Sequence, residues 1–426
     1  MGHVNVVRLG FLVVIAVAAA CTASPFPAAS PTTMLSRCPP GTLCYVPSTS
    51  PTTASSAERP TPRPAGFTFG MVPLPPVSGG FLSIADVAAA GPRFVAIGRA
   101  TDQGEALVLI SPDGRVWSRV PDQPAFHDAA GAVAMEAVAS RSDALLVAVG
   151  MVRNRAGHVL HGAAWWSRDG EHWQRAPEPP SFAGADPGAA GLLATATGFV
   201  AAGSRAGQPA IWTSPDGRTW TLATTPTPPD GASLSAMGAG GPGLIAVGGA
   251  PATSSRYRVP LWTSSDGGQH WTQDPGAPGP VPELDPMGYA FTAVACRPGL
   301  CVAGARLDPG PGQDFAGVSL WRYLWTSSDG LHWTGQNMTT TTRGPQLDEV
   351  TWTGTAFVAS GDYPQGAERR AWWSLDGLTW QEVPLPAAAS TLPSWTRLVT
   401  VHGLVFAETG MANERGTLWL GVPSSS

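Results

Sequence analysis

Six aspartates sit in one recurring phrase, and an acid repeated in a fixed frame is the first place to look for chemistry. The copies read Ser111-Pro-Asp113-Gly114-Arg-Val-Trp117, Ser167-Arg-Asp169-Gly170-Glu-His-Trp173 and Ser214-Pro-Asp216-Gly217-Arg-Thr-Trp220. They continue as Ser264-Ser-Asp266-Gly267-Gly268-Gln-His-Trp271, Ser327-Ser-Asp329-Gly330-Leu-His-Trp333 and Ser374-Leu-Asp376-Gly377-Leu-Thr-Trp380. Turn chemistry accounts for the phrase without catalysis. Asp accepts hydrogen bonds from amides two residues on, Gly supplies positive φ, and Ser does a weaker version of what Asp does. The six aspartates are therefore read as scaffold.

Two other sets could form a site. Short apolar strands begin with charge at Asp86, Glu136, Asp348, Glu349 and Arg397, residue types suited to proton transfer and charge stabilisation. Loops further along carry arginine at Arg99, Arg153, Arg155, Arg205, Arg256, Arg258, Arg306, Arg369, Arg370 and Arg415, which could grip carboxylate or phosphate if they met on one face. His127, His158 and His161 could meet a metal, but the one carboxylate beside them is Asp128, so no metal or cofactor is assigned. His172, His270 and His332 precede the phrase tryptophans and read as exposed filler.

The elements that must position these residues follow from the repeat. Ahead of each phrase lies a short apolar run ending in Gly, as in Val95-Ala-Ile-Gly98, Val147-Ala-Val-Gly150, Val200-Ala-Ala-Gly203 and Ile245-Ala-Val-Gly248. An aromatic-rich strand such as Ile211-Trp212-Thr213 leads into the Ser, and another strand starts at the Trp. Each unit is thus four short strands with Gly-rich punctuation and no room for a helix. Self-similarity at this period marks a solenoid, propeller or array. Composition agrees. Gly and Pro number 51 and 43, all 25 basic residues are arginine, and 13% of residues are charged, against about 25% in an ordinary soluble domain. A formal charge of −5 without a basic cluster excludes a nucleic-acid binder.

Ser-x-Asp-x-Gly-x-Thr-Trp is the Asp-box, or bacterial neuraminidase repeat, and the six phrases resemble it. The fourth has its Gly spacing with His for Thr; the others are one residue shorter. The resemblance implies an all-β, seven-bladed propeller of four-stranded antiparallel blades, with the box at the periphery. Trp395–Val401, Leu404–Ala407 and Thr417–Leu420 supply three strands of a last unit, and Met71-Val-Pro-Leu-Pro75 echoes Glu382-Val-Pro-Leu-Pro386, so an N-terminal strand is expected to close the ring.

Asp-box propellers include sialidases. That mechanism implies an arginine triad, a Tyr–Glu nucleophile pair, an Asp acid/base and an Arg-Ile-Pro phrase. No Arg-Ile-Pro occurs; Arg119-Val-Pro121 and Arg258-Val-Pro260 lie inside later strands, and Tyr289 near Glu283 and Asp285 is the one suggestive arrangement. No catalytic residue is assigned.

The N-terminus reads as an address. Arg8 precedes the apolar run Leu9–Ala20, too short to span a bilayer, and Ala18-Ala19-Ala20-Cys21 resembles the bacterial lipobox, with Ala for its usual Leu. The resemblance implies removal of residues 1–20 and lipid attachment at Cys21, on the extracytoplasmic face of the cell membrane. Cys38 with Cys44, and Cys296 with Cys301, are close pairs expected to form disulfides in an exported protein. Residues 21–65, rich in Ser, Thr, Pro and Ala, read as a tether, leaving residues 66–426 as the folded domain. On this reading the chain is first a non-enzymatic interaction or assembly platform, with an envelope protein or cell-surface glycan as partner. The alternative is a glycan-binding or sialidase-like glycoside hydrolase.

Overall fold

The computed structural model describes residues 65–77, 82–100, 105–228, 230–240, 243–249, 261–274, 288–308, 324–336, 346–362, 369–386, 395–409 and 416–424. Cys21, Cys38, Cys44 and Arg415 lie outside the described residues.

The described chain is all-β apart from two single-turn 3₁₀ segments. Strand β1 is Gly66–Val72. Strands β2 to β5 are Ser83–Ala90, Arg93–Arg99, Ala106–Ser111 and Ser118–Arg119, and β6 to β9 are Ala132–Ser140, Leu146–Arg153, Val159–Ser167 and Gln174–Arg175. Strands β10 to β13 are Ala185–Thr195, Gly198–Arg205, Gln208–Ser214 and Thr221–Leu222, and β14 to β17 are Ser233–Gly240, Gly243–Gly249, Leu261–Ser264 and Thr272–Asp274. Strands β18 to β21 are Gly288–Arg297, Leu300–Asp308, Leu324–Ser327 and Thr334–Gln336, and β22 to β25 are Gln346–Trp352, Phe357–Asp362, Arg369–Ser374 and Gln381–Val383. Strands β26 to β28 are Trp395–Val401, Leu404–Thr409 and Thr417–Ser424.

Each run of four forms an antiparallel meander, and the groups starting at β14 and β18 are joined through the single pair Gly249–Ala290. The last group borrows its outer strand: β1 pairs with β28 from Gly66–Ser424 to Val72–Leu418. First strands β2, β6, β10, β14, β18, β22 and β26 touch in that order, and β26 touches β2. The sheets therefore ring an axis with their first strands innermost, which is a β-propeller.

Packing between sheets explains the recurring residues. Second strands are covered on both faces, so Val95, Ala96 and Ile97 of β3 are wholly buried, as are Val147, Ala148 and Val149 of β7. In all six phrases the Gly amide donates to the Ser hydroxyl at 2.8–2.9 Å, and the Trp indole N–H donates to the Gly carbonyl at 2.9–3.2 Å. The Asp carboxylate takes two amides, those of Arg115 and Val116 in the first copy. The same glycines wedge into the neighbouring sheet. A Cβ on Gly170 would meet Val95 Cγ2 at 2.5 Å, on Gly217 Val147 Cγ2 at 2.2 Å, and on Gly268 Val200 Cγ2 at 2.7 Å. On Gly114 it would meet Phe406 Cζ at 2.9 Å, so the first sheet's turn locks onto the last sheet. The phrase tryptophans fill the same seams at 3–8% exposure, each burial contributing about 4–6 kcal/mol at most.

Candidate functional site

A repeated irregularity aims side chains at the axis. First strands slip register at one place, between Ile84 and Asp86, Met135 and Ala137, Leu234 and Ala236, Phe291 and Ala293, Leu347 and Glu349, and Trp395 and Arg397. Such a bulge kinks the strand and re-aims side chains. It also presses a carbonyl onto the facing second strand. A Cβ on Gly98 would lie 1.9 Å from the Ser83 carbonyl oxygen, on Gly150 2.0 Å from that of Ala134, and on Gly248 1.8 Å from that of Ser233. The Gly that ends each apolar run is thus the price of the bulge, and the bulge is what turns Asp86, Glu136, Asp348, Glu349 and Arg397 off the regular pleat.

These residues divide by what they hold. Asp86, 5% exposed, accepts from the amide of Val87 at 2.9 Å and, across the seam, from that of Val138 at 2.9 Å. Glu349 takes the amide of Leu398 in the same way one seam earlier. Both carboxylates clip an inner strand to its neighbour. Arg397 lies between them, 3.4 Å from Asp86, and its guanidinium reaches across the channel to within 3.7 Å of where a Gly191 Cβ would stand. Burial pushes the Glu349 carboxyl up to about 8 despite Arg397, with Asp348 adding to the rise. It raises Asp86 too, while Asp86 in turn raises Arg397.

The second group is a carboxyl pair. Glu136 and Asp186, on adjacent first strands, share a hydrogen bond. Burial and then the Asp186 charge push Glu136 up to about 8, while Arg153 and Arg99 oppose the rise. Asp186 is raised by burial as well, and its Oδ1 is buried without a hydrogen-bond partner. The loop after Asp186 rests on Glu136: a Gly188 Cβ would meet Glu136 Cβ at 2.9 Å. Two like charges this close cannot both ionise, so the pair keeps one proton at neutral pH.

Arg153 joins this cluster through its charge, whereas Arg205 is exposed at the end of β11. Arg306 and Arg369 are placed only as backbone positions on β19 and β24. The histidines before the phrase tryptophans are exposed but not idle: His172, His270 and His332 bond the phrase aspartates through Nδ1 at 2.7, 2.6 and 2.7 Å. The amide and ring of His270 hold Asp266 well below the usual carboxylate range, and His332 does the same for Asp329. His161 pairs with Glu178 at 3.0 Å, and Arg175 takes Asp128 at 2.7 Å, so these groups serve as one another's partners. Among the described residues no group of three His, Cys, Asp or Glu side chains is arranged to hold a metal. Cys296 and Cys301 are joined as a disulfide across β18 and β19.

Asp186 and Glu408 were missed in the sequence. Asp186-Pro-Gly reads as a turn, although its place at the head of an inner strand matches that of Glu136. Glu408 lies in a second strand otherwise read as apolar, and it clips the last sheet to the first by accepting from Ser83 Oγ at 2.9 Å and the Ile84 amide at 2.5 Å.

No protein-family model and no curated protein matches this chain. Solved structures do. A GH74 xyloglucanase from Xanthomonas campestris aligns with TM-score 0.48 and 17% identity, over 78% of this chain and 51% of its own. An α-L-arabinanase from Penicillium chrysogenum, complexed with arabinobiose, aligns at 0.45 and 14%, over 85% and 98%. An α-L-arabinofuranosidase from Fusarium graminearum, in complex with an iminosugar inhibitor, aligns at 0.44 and 13%, over 83% and 97%. The likeness is one of fold. The expectation of a non-enzymatic platform is corrected at this point: within this chain buried carboxyl groups gather at the axis, with Arg99 and Arg153 beside Glu136 and Arg397 beside Glu349, and the three similar structures are themselves named as enzymes.

Proposed function

We propose that the protein is a carbohydrate-active β-propeller of the glycoside-hydrolase type, in which Glu136 donates the proton to the leaving glycosidic oxygen. The observation that carries this is the Glu136–Asp186 pair, a carboxylic acid still protonated at neutral pH beside arginines. A general acid works best with a pKa near the operating pH; glycoside cleavage also needs a second carboxyl group about 5–10 Å away, farther than the hydrogen-bonded Asp186, whose part is to keep Glu136 protonated. Asp348, next to Glu349 on β22 and adding to its raised pKa, is the second carboxyl to test. In this proposal the ring has seven blades, the phrases are Asp-boxes, and the domain over residues 66–426 is held outside the cytoplasmic membrane by lipid on Cys21.

Release of reducing ends from a panel of polysaccharides and aryl glycosides tests the reading. The expected result is hydrolysis that falls away above about pH 8, where Glu136 loses its proton, and that disappears in Glu136→Gln and Asp186→Asn. A chain that cleaves no member of the panel overturns it.

A further inference from the structure

The channel holds a second space, separate from Glu136. A cavity of about 560 Å³ is lined on each first strand by residues that follow the bulge: Val87 to Ala89 after Asp86, Val138 to Ser140 after Glu136, Val350 to Trp352 after Glu349. It therefore runs from the layer of Asp86, Arg397 and Glu349 toward the turns that end the first strands, while Glu136 and Asp186 lie beyond that layer and do not line it.

Three properties define what fits. Inner strands such as β2, β6, β10, β22 and β26 are sheet edges, so rows of N–H and C=O groups face the axis and require water or a ligand. Hydroxyls at Ser140, Ser235 and Thr351 stand on the wall among aliphatic side chains such as Val87, Leu192 and Met237, with the indole of Trp352, half-buried near Phe357 (4.7 Å between ring centres) and Arg297 (5.8 Å from the guanidinium carbon to the ring centre). At the inner end a guanidinium and a carboxylate lie side by side, 3.4 Å apart. Burial raises the carboxyl groups of both Glu349 and Asp86, so the layer sets hydrogen-bond donors and acceptors side by side.

We propose that this cavity is a second carbohydrate site, blind at the Asp86–Arg397–Glu349 layer, which takes the terminal residue of an uncharged saccharide. A sugar ring presents alternating hydroxyl donors and acceptors to strand edges, a vicinal diol to a guanidinium–carboxyl pair, and an apolar C–H face to an indole. A ligand with a full negative charge would meet an Arg397 already paired with Asp86, and a purely apolar one would leave the strand edges dry. The inference rests on the carbohydrate reading for its ligand class, but on different residues.

The test uses the full-length chain, with saturation-transfer NMR and calorimetry on neutral mono- and disaccharides, and with glucuronate as the charged probe. At least one neutral sugar should bind, with glucuronate weaker. Ala239→Phe adds a ring at an exposed wall position, so it should weaken binding about tenfold or more while melting as the parent does. Trp352→Ala, should it fold, gives the same loss by removing the platform. Absence of binding by every neutral sugar, equal binding to Ala239→Phe and parent, or preference for glucuronate would each overturn the proposal. Hydrolysis measured in parallel reports on Glu136 alone: sugar binding sensitive to Ala239→Phe in a chain that cleaves nothing would sink the earlier reading and keep this one.

Discussion

Carboxyl groups at the rim of the ring and at its axis meet opposite fates, although both are set at recurring positions in the same four-stranded unit. At the rim, Asp266 and Asp329 are open to solvent, take two amides and a histidine ring each, and are held well below the usual range. At the axis, Glu136 and Glu349 are raised to about 8 by burial, although arginines stand near both. Donor count and solvent decide the outcome, with distance to the nearest positive charge secondary. Acids that recur from unit to unit close turns, whereas acids confined to a few units titrate where catalysis would need them.

The largest effect expected of that contrast is on turnover. Glu136→Gln should cost about 10²–10⁴-fold in hydrolysis, whereas Asp266→Asn should leave turnover near that of the parent; a rim variant as damaging as the axial one would erase the distinction. Next comes the pH dependence of stability. Glu136 and Glu349 have folded values near 8, above an unfolded value of about 4.3. The stability linked to them is complete below that unfolded value and is lost as pH rises through 8, each proton adding a slope of up to about 1.4 kcal/mol per pH unit. Asp266 and Asp329 are lowered, so theirs is present above the unfolded Asp value of about 3.9 and lost as pH falls. Chemical denaturation from pH 3 to 9 should therefore give a maximum on the acid side of neutrality, and Glu136→Gln should flatten the alkaline limb.

A third experiment sharpens the rim's role as a wedge. Gly170 (φ 77°) and Gly157 (φ 82°) share a backbone conformation, but a Cβ meets Val95 at 2.5 Å in the first and open space in the second. Gly157→Ala should cost about 1 kcal/mol, and Gly170→Ala about 1–3 kcal/mol more from overpacking, read as melting shifts. Equal losses would remove the wedge. A smaller change than that of Gly170→Ala is expected from Ser167→Ala, which leaves the buried Gly170 amide without its 2.9 Å acceptor, at about 1–3 kcal/mol.

Local chemistry was legible in the sequence; partnership was not. Ser-x-Asp-Gly and its Trp announce a turn because every bond in that turn joins residues within four positions of one another. Gly98 and its counterparts were visible as punctuation, yet their cause, a carbonyl pushed across by a bulge, depends on strand pairing that no window of residues displays. Asp86, Glu136, Asp348, Glu349 and Arg397 stood out as charges heading apolar strands. That Asp86 holds Val138, or that Glu136 meets Asp186, depends on which strands become neighbours around the axis. Asp186 was hidden by the Pro-Gly after it, and Glu408 by the apolar strand around it.

The pairing of β1 with β28 carries a consequence for how the chain can be cut. Ala65 donates its amide to the Ser424 carbonyl at 3.0 Å, so the first and last described residues lie a strand spacing apart, about 5 Å. A short linker there and a new opening at the exposed Asn154–Gly157 turn would give a circular permutant with every seam intact. Such a ring has no structural beginning, and its stability should belong to the closed set of sheets rather than to the order in which they are synthesised.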